Sequence, residues 1–281
     1  MKKLAFALMM VAGFTSCDSD DDVVDTPNFE GETKEYTLNE RSNSGVSGTV
    51  TFIENEDGSA TVEFDLDGTP ADGMHPAHIH MGTAAEGGDI AVSFTPIDGA
   101  TGISITEVSA LDNGTNVTYE ELVSYDGYIN VHLSAEELGT IVAQTDIGEN
   151  SLTGESVTYD LDERDIPGVS GVAIFEEREN GETLVTLDLE GTEEGGEHPA
   201  HIHMGSLEDA PGAIVVTFNP VNGATGMSMT NVSMTDGADD AEGEPITYTE
   251  LLSYDGYINV HKSAEELGVL AAQGNMGANA S

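Results

Sequence analysis

The sequence predicts an all-β protein made of two tandem Greek-key-like β-sandwich or barrel domains. Three observations predict it. A unit of about 120 residues occurs twice, a length that suits a whole domain and not a solenoid repeat. Within each unit, short apolar-polar alternations are separated by turn residues. No long apolar face of helical period occurs.

Along the chain, Lys2 and Lys3 precede a short apolar run at residues 4–14, too short to span a bilayer. Cys17 follows and is the single cysteine of the 281 residues, so no intrachain disulfide can form. Residues 1–17 read as an export signal ending in that cysteine, and residues 18–30, rich in Asp, as a flexible acidic tether. The first β domain is expected at 31–150 and the second at 151–276, with the boundary near 149–153.

The first domain should contain a hairpin. Val50 and Phe52, then Val62, Phe64 and Leu66, alternate with polar residues around Asp57-Gly58. The second domain repeats this with Val172, Ile174 and residues 184–189 around Asn180-Gly181. Residues 90–94 and 214–218 read as further strands, which Pro96 and Pro220 should end. Ser134 and Glu137, and again Ser263 and Glu266, have capping-box spacing ahead of Leu-Gly and predict one helical turn each.

Lys and Arg number 7 against 53 Asp and Glu, for a formal charge of −46, so the chain lacks the cations that neutralise phosphates and is not expected to bind nucleic acid. P-loop, dinucleotide, nucleophilic-serine and complete EF-hand patterns are absent.

The chemistry-bearing residues are the histidines. All 8 fall in two equivalent sets: His75, His78, His80 and His132, then His198, His201, His203 and His261. On a strand, residues two apart share a face, so His78 and His80 point together while Ile79 points the other way. Asn130 and His132 likewise share a face. If those strands are neighbours, three or four imidazoles converge, and neutral imidazole suits zinc, copper or nickel. A purely structural histidine network is the competing reading. Asp126 and Asp255 are candidate acceptors for ring N–H groups. Gln144 and Gln273 are candidates for hydrogen bonds near each cluster.

Three resemblances add to this. Ser16-Cys17 after the apolar run, followed by Asp18-Ser19-Asp20-Asp21-Asp22, resembles the lipidated cysteine and acidic surface-export signal of Bacteroidetes-type lipoproteins. It implies a surface-exposed lipoprotein of a bacterial outer membrane, anchored by lipid at Cys17. The text His75-Pro76-Ala77-His78-Ile79-His80-Met81-Gly82, with Tyr128-Ile129-Asn130-Val131-His132 some fifty residues later, recurs at 198–205 and 257–261 and resembles the CHRD domain named from chordin. That likeness covers roughly 32–148 and 155–274, although the Glu and Arg that the family carries after its last His are missing from both copies. The His-x-His strand with a later His also resembles the ligand layout of copper/zinc superoxide dismutases.

Together these give the expectation of a non-enzymatic exported surface module that binds copper or zinc through a four-His cluster in each domain, with an unknown extracellular partner. The alternatives are an adhesion or scaffold protein with structural histidines, and a dismutase-like enzyme.

Overall fold

The computed structural model describes residues 29–237 and 243–280; the expected signal, Cys17 and nearly all of the tether lie outside them. The first repeat contains β1 (Thr33–Glu40), β2 (Ser47–Glu54), β3 (Ala60–Asp67), β4 (Met74–His75), β5 (Ala77–Met81), β6 (Ile90–Ser93), β7 (Ile97–Asp98), β8 (Ile103–Val108), α1 (Tyr119–Val123), β9 (Gly127–His132) and β10 (Ile141–Ile147). The second contains β11 (Leu152–Glu163), β12 (Ser170–Arg178), β13 (Thr183–Glu190), β14 (Glu197–Met204), β15 (Ile214–Asn222), β16 (Met227–Val232), α2 (Tyr248–Leu252), β17 (Asp255–His261) and β18 (Leu270–Gly277).

The second repeat is a closed antiparallel barrel of order β11-β12-β13-β16-β15-β14-β17-β18. Closure leaves no strand edge unpaired. The first repeat is one curled sheet of order β4-β7-β8-β3-β2-β1-β10-β9-β5-β6. Its pieces match the barrel: β4 and β5 together occupy the place of β14, and β6 and β7 that of β15. Only Pro76 separates β4 from β5, whereas β14 runs through the equivalent Pro199.

The interiors follow from period-two alternation. In β2 and β3, Val50, Phe52, Val62, Phe64 and Leu66 are buried while Glu63 and Asp65 face outward. Each repeat has its own core, one drawn from residues 36–147 and one from 159–276, as a small barrel filled by side chains requires.

Two local expectations fail. The segments after Ser134 and Ser263 form consecutive turns and no helix. Each is folded back instead, with Leu133 N–H donating to Thr140 and Lys262 N–H to Val269. The helical turns are α1 and α2, opened by the capping boxes Thr118/Glu121 and Thr247/Glu250. Pro220 does not end its strand: β15 runs through it. Pairing shifts there from His198↔Val221 to Ala200↔Phe218, and the extra residue of this bulge accommodates a proline.

The barrels meet at a polar junction. Arg178, 1% exposed, donates through Nη1 to Asp146 Oδ2 at 2.8 Å and to the Asn150 carbonyl, and through Nε to Asn231 Oδ1 at 2.8 Å. The β12–β13 turn grips the connecting segment: Glu179 N–H donates to Ser151 and Asn180 N–H to Glu149.

Candidate metal centre

β5 pairs with β9 antiparallel, setting His78 opposite Asn130 and His80 opposite Tyr128. His132, two residues beyond Asn130, shares its face. Ala77, Ile79, Ile129 and Val131 point inward and are fully buried. The opposite face of this strand pair therefore gathers His78, His80 and His132, and potential ligand atoms of the three lie within 4.8 Å of one another. β14 and β17 repeat the arrangement with His201, His203 and His261.

Backbone carbonyls orient the rings. His80 Nδ1 lies 3.0 Å from the Gly88 carbonyl and His132 Nδ1 2.6 Å from that of Leu138. In the second barrel, His203 Nδ1 lies 3.0 Å from Gly212 O and His261 Nδ1 2.7 Å from Leu267 O. A carbonyl only accepts, so each Nδ1 carries the proton and each Nε2 keeps its lone pair. His78 presents Nδ1, 3.1 Å from His132 Nε2. His80 Nε2, His203 Nε2 and His201 Nδ1 are buried with no hydrogen-bond partner among the described residues. Such orphaned acceptors cost free energy unless something occupies them, and an ion that takes imidazole lone pairs fits the need.

Tyr128 stacks on His80 with ring centroids 4.9 Å apart, and Tyr257 on His203 at 5.1 Å. Burial pushes the His78 and His201 rings down to about 4, with a further push from the neighbouring imidazoles. His132 and His261 are also lowered, again first by burial. All four are thus held neutral near pH 7, as metal ligation requires.

The expected four-His cluster is a three-His cluster. His75 and His198 have the parity of Ala77 and Ala200, so they turn inward and are 0% and 3% exposed. Their Nδ1 atoms face the main-chain carbonyls of His132 and His261 at 3.3 and 3.2 Å, which makes them struts behind the third histidine of each cluster. Asp126 and Asp255 do not serve the rings. They accept from Asn150 and Asn279, each at 2.6 Å. Gln144 donates to Asn130 Oδ1 at 2.8 Å beside the first cluster.

The orienting carbonyls went unnoticed in the sequence, although Gly88 and Gly212 carry a trace of them. A Cβ at either would stand 1.9 Å from the carbonyl oxygen of Met81 or Met204, so only glycine lets each loop fold over its histidine. No protein-family model matches this chain, and neither a curated protein nor a solved structure matches it.

Proposed function

We propose that the protein is a non-enzymatic exported surface module holding one copper or zinc ion in each barrel, through His78, His80 and His132 and through His201, His203 and His261. One observation carries the reading: main-chain carbonyls fix Nδ1–H on the second and third histidine of each set, and this leaves two Nε2 lone pairs and one Nδ1 converging. Carbonyl acceptors behind the ring orient ligand imidazoles and raise their basicity. An all-imidazole set suits copper and zinc and disfavours calcium or magnesium, which take oxygen. The order β17-β14-β15-β16 supports a Greek-key connection in the second repeat.

The CHRD likeness of both repeats and the leader with Cys17 support placing this module at a bacterial cell surface on a lipid anchor. Substituting Cys17→Ala should release the protein from the membrane fraction, whereas retention there would refute the anchor.

Elemental analysis and titration test the metal reading. About two ions per chain are expected for the wild type, one for His80→Ala/His132→Ala, and none when His203→Ala/His261→Ala is added. Stoichiometry unaffected by these changes would leave the histidines a structural network, the role that buried His75 and His198 already fill.

A further inference from the structure

The two clusters have nearly the same ligands but different support, and the difference comes from the junction. The loop between β5 and β6 carries Gly88, whose carbonyl orients His80. That loop is held at Ala84, whose N–H donates to Asp146 Oδ1 at 2.8 Å. The other oxygen of Asp146 takes Arg178 of the second barrel at 2.8 Å. One carboxylate thus ties the ligand-orienting loop of one barrel to a buried guanidinium of the other. A second link runs from Asn219 Nδ2 to the Ala85 carbonyl at 3.4 Å. A third runs along the outer face. Arg41 lies against Met229 Sδ of the second barrel at 2.9 Å and donates to Gln144 Oε1 at 2.9 Å, and Gln144 donates to Asn130, which is paired with His78.

Among the described residues, the second cluster lacks these ties. Asn275 stands where Asp146 does: its Oδ1 still accepts the loop N–H, from Leu207 at 3.0 Å, but it has no charge to pair. Asn259 Oδ1, counterpart of the Asn130 oxygen, is buried without a partner among the described residues. The Arg178 position holds Asn55 in the first repeat, and Asn55 is consumed by Ser59 and Thr61 of its own hairpin. Among the described residues the lock exists once, from the end of the first repeat to the hairpin of the second.

We infer that Asp146 and Arg178 are positioning residues for the first metal site alone, making the two sites inequivalent: the second barrel buttresses His78, His80 and His132, and nothing equivalent among the described residues buttresses His201, His203 and His261. This rests on the metal-binding reading above. Neutralising the lock should loosen the Gly88 loop and weaken the first site, as outer-shell changes at metal sites do. The effect should not reach the second.

The test is a zinc(II) titration against a chromophoric chelator on full-length protein, in two backgrounds. His203→Ala/His261→Ala leaves the first site, and His80→Ala/His132→Ala leaves the second. Asp146→Asn is introduced into each. It installs the residue the second repeat uses at this place, so the loop bond survives and only the ion pair goes. Expected is a loss of about tenfold in zinc affinity at the first site and no change at the second. Equal loss at both sites, or none at the first while wild type binds zinc, overturns the inference and leaves the metal reading standing. Absence of zinc binding by the wild type overturns both. Arg41→Gln, which breaks the outer link without exposing a buried charge, supplies a second variant: it should weaken the first site and spare the second, and the reverse pattern overturns the proposal.

Discussion

At the residue scale, His78 and His201 link the site to pH. Each is held neutral down to about pH 4, mainly by burial and then by its imidazole neighbours. In the unfolded chain the same rings take up protons near 6.5. Between these limits the unfolded state binds more protons than the folded one, so stability rises with pH. The contribution is fully present above about 6.5 and is lost as pH falls through about 4. In metal-free protein the denaturant midpoint should therefore drop between pH 7 and pH 4, and His78→Gln/His201→Gln should flatten the drop. A variant as pH-sensitive as the wild type would show that these rings are not held neutral. Metal affinity should fall over the same range, because protons compete for the ligand lone pairs.

The pairing of His78 with His80 was readable from spacing alone, since two residues apart on a strand is a statement about faces. Spacing also contained the fate of His75: an odd separation from His78 puts it on the inward face with Ala77 and Ile79. Three imidazoles at the surface of the strand pair and one within it is what period two dictates. The sequence could not supply the register that sets His80 against Tyr128, because register depends on turn lengths and on the packing of the other face.

At the element scale, the barrels depend on glycines at a few close approaches. Gly102 lies between β7 and β8 at φ +74°, and a Cβ there would fall 1.8 Å from the Leu66 carbonyl oxygen. Gly226, its counterpart, has the same φ, and its Cβ would fall 1.9 Å from Leu189 O. Gly58, in the β2–β3 hairpin, has φ +81° but nothing within 4 Å of the added atom. Gly58→Ala should thus lose only the left-handed backbone term, about 1–2 kcal/mol. Gly102→Ala and Gly226→Ala should cost clearly more, because a backbone carbonyl of the neighbouring strand must also move. Urea unfolding midpoints of the three variants check the order, and equal losses would show that the strands yield at no cost.

The strands and hairpins were legible because alternation and Asp-Gly or Asn-Gly turns encode them directly. The helical turns were not, since several segments share the S/T-x-x-E pattern and only packing selects among them. Tyr119 and Leu122 bury against the first core and make α1 a helix. In the competing segment the Leu138 carbonyl is bound to the His132 ring. His132 there takes a main-chain acceptor that helical hydrogen bonding would otherwise use.

At the scale of the molecule, duplication explains the similarity of the barrels, and a few departures from it explain how they are joined. Of the five Lys and Arg after Lys3, three lie at the junction: Lys34 and Arg41 line the cleft between the barrels, and Arg178 is buried in it. In so acidic a chain, cations concentrate where two negatively charged bodies must touch, which lowers their mutual repulsion. Repeat alignment shows Asn55 against Arg178 and Asp146 against Asn275, which in sequence resembles ordinary drift. Only the fold shows that the two departures face each other. Arg178→Ala would leave the Asp146 carboxylate, whose side chain is 7% exposed, without its partner, and should cost about 3–5 kcal/mol in unfolding free energy. Arg178→Asn/Asp146→Asn should cost less than Arg178→Ala alone despite changing two residues, because it leaves no buried charge and installs the neutral residues already present at positions 55 and 275. Denaturant unfolding of the two variants decides the point: a double variant less stable than the single one would mean that contacts other than the ion pair hold the barrels together.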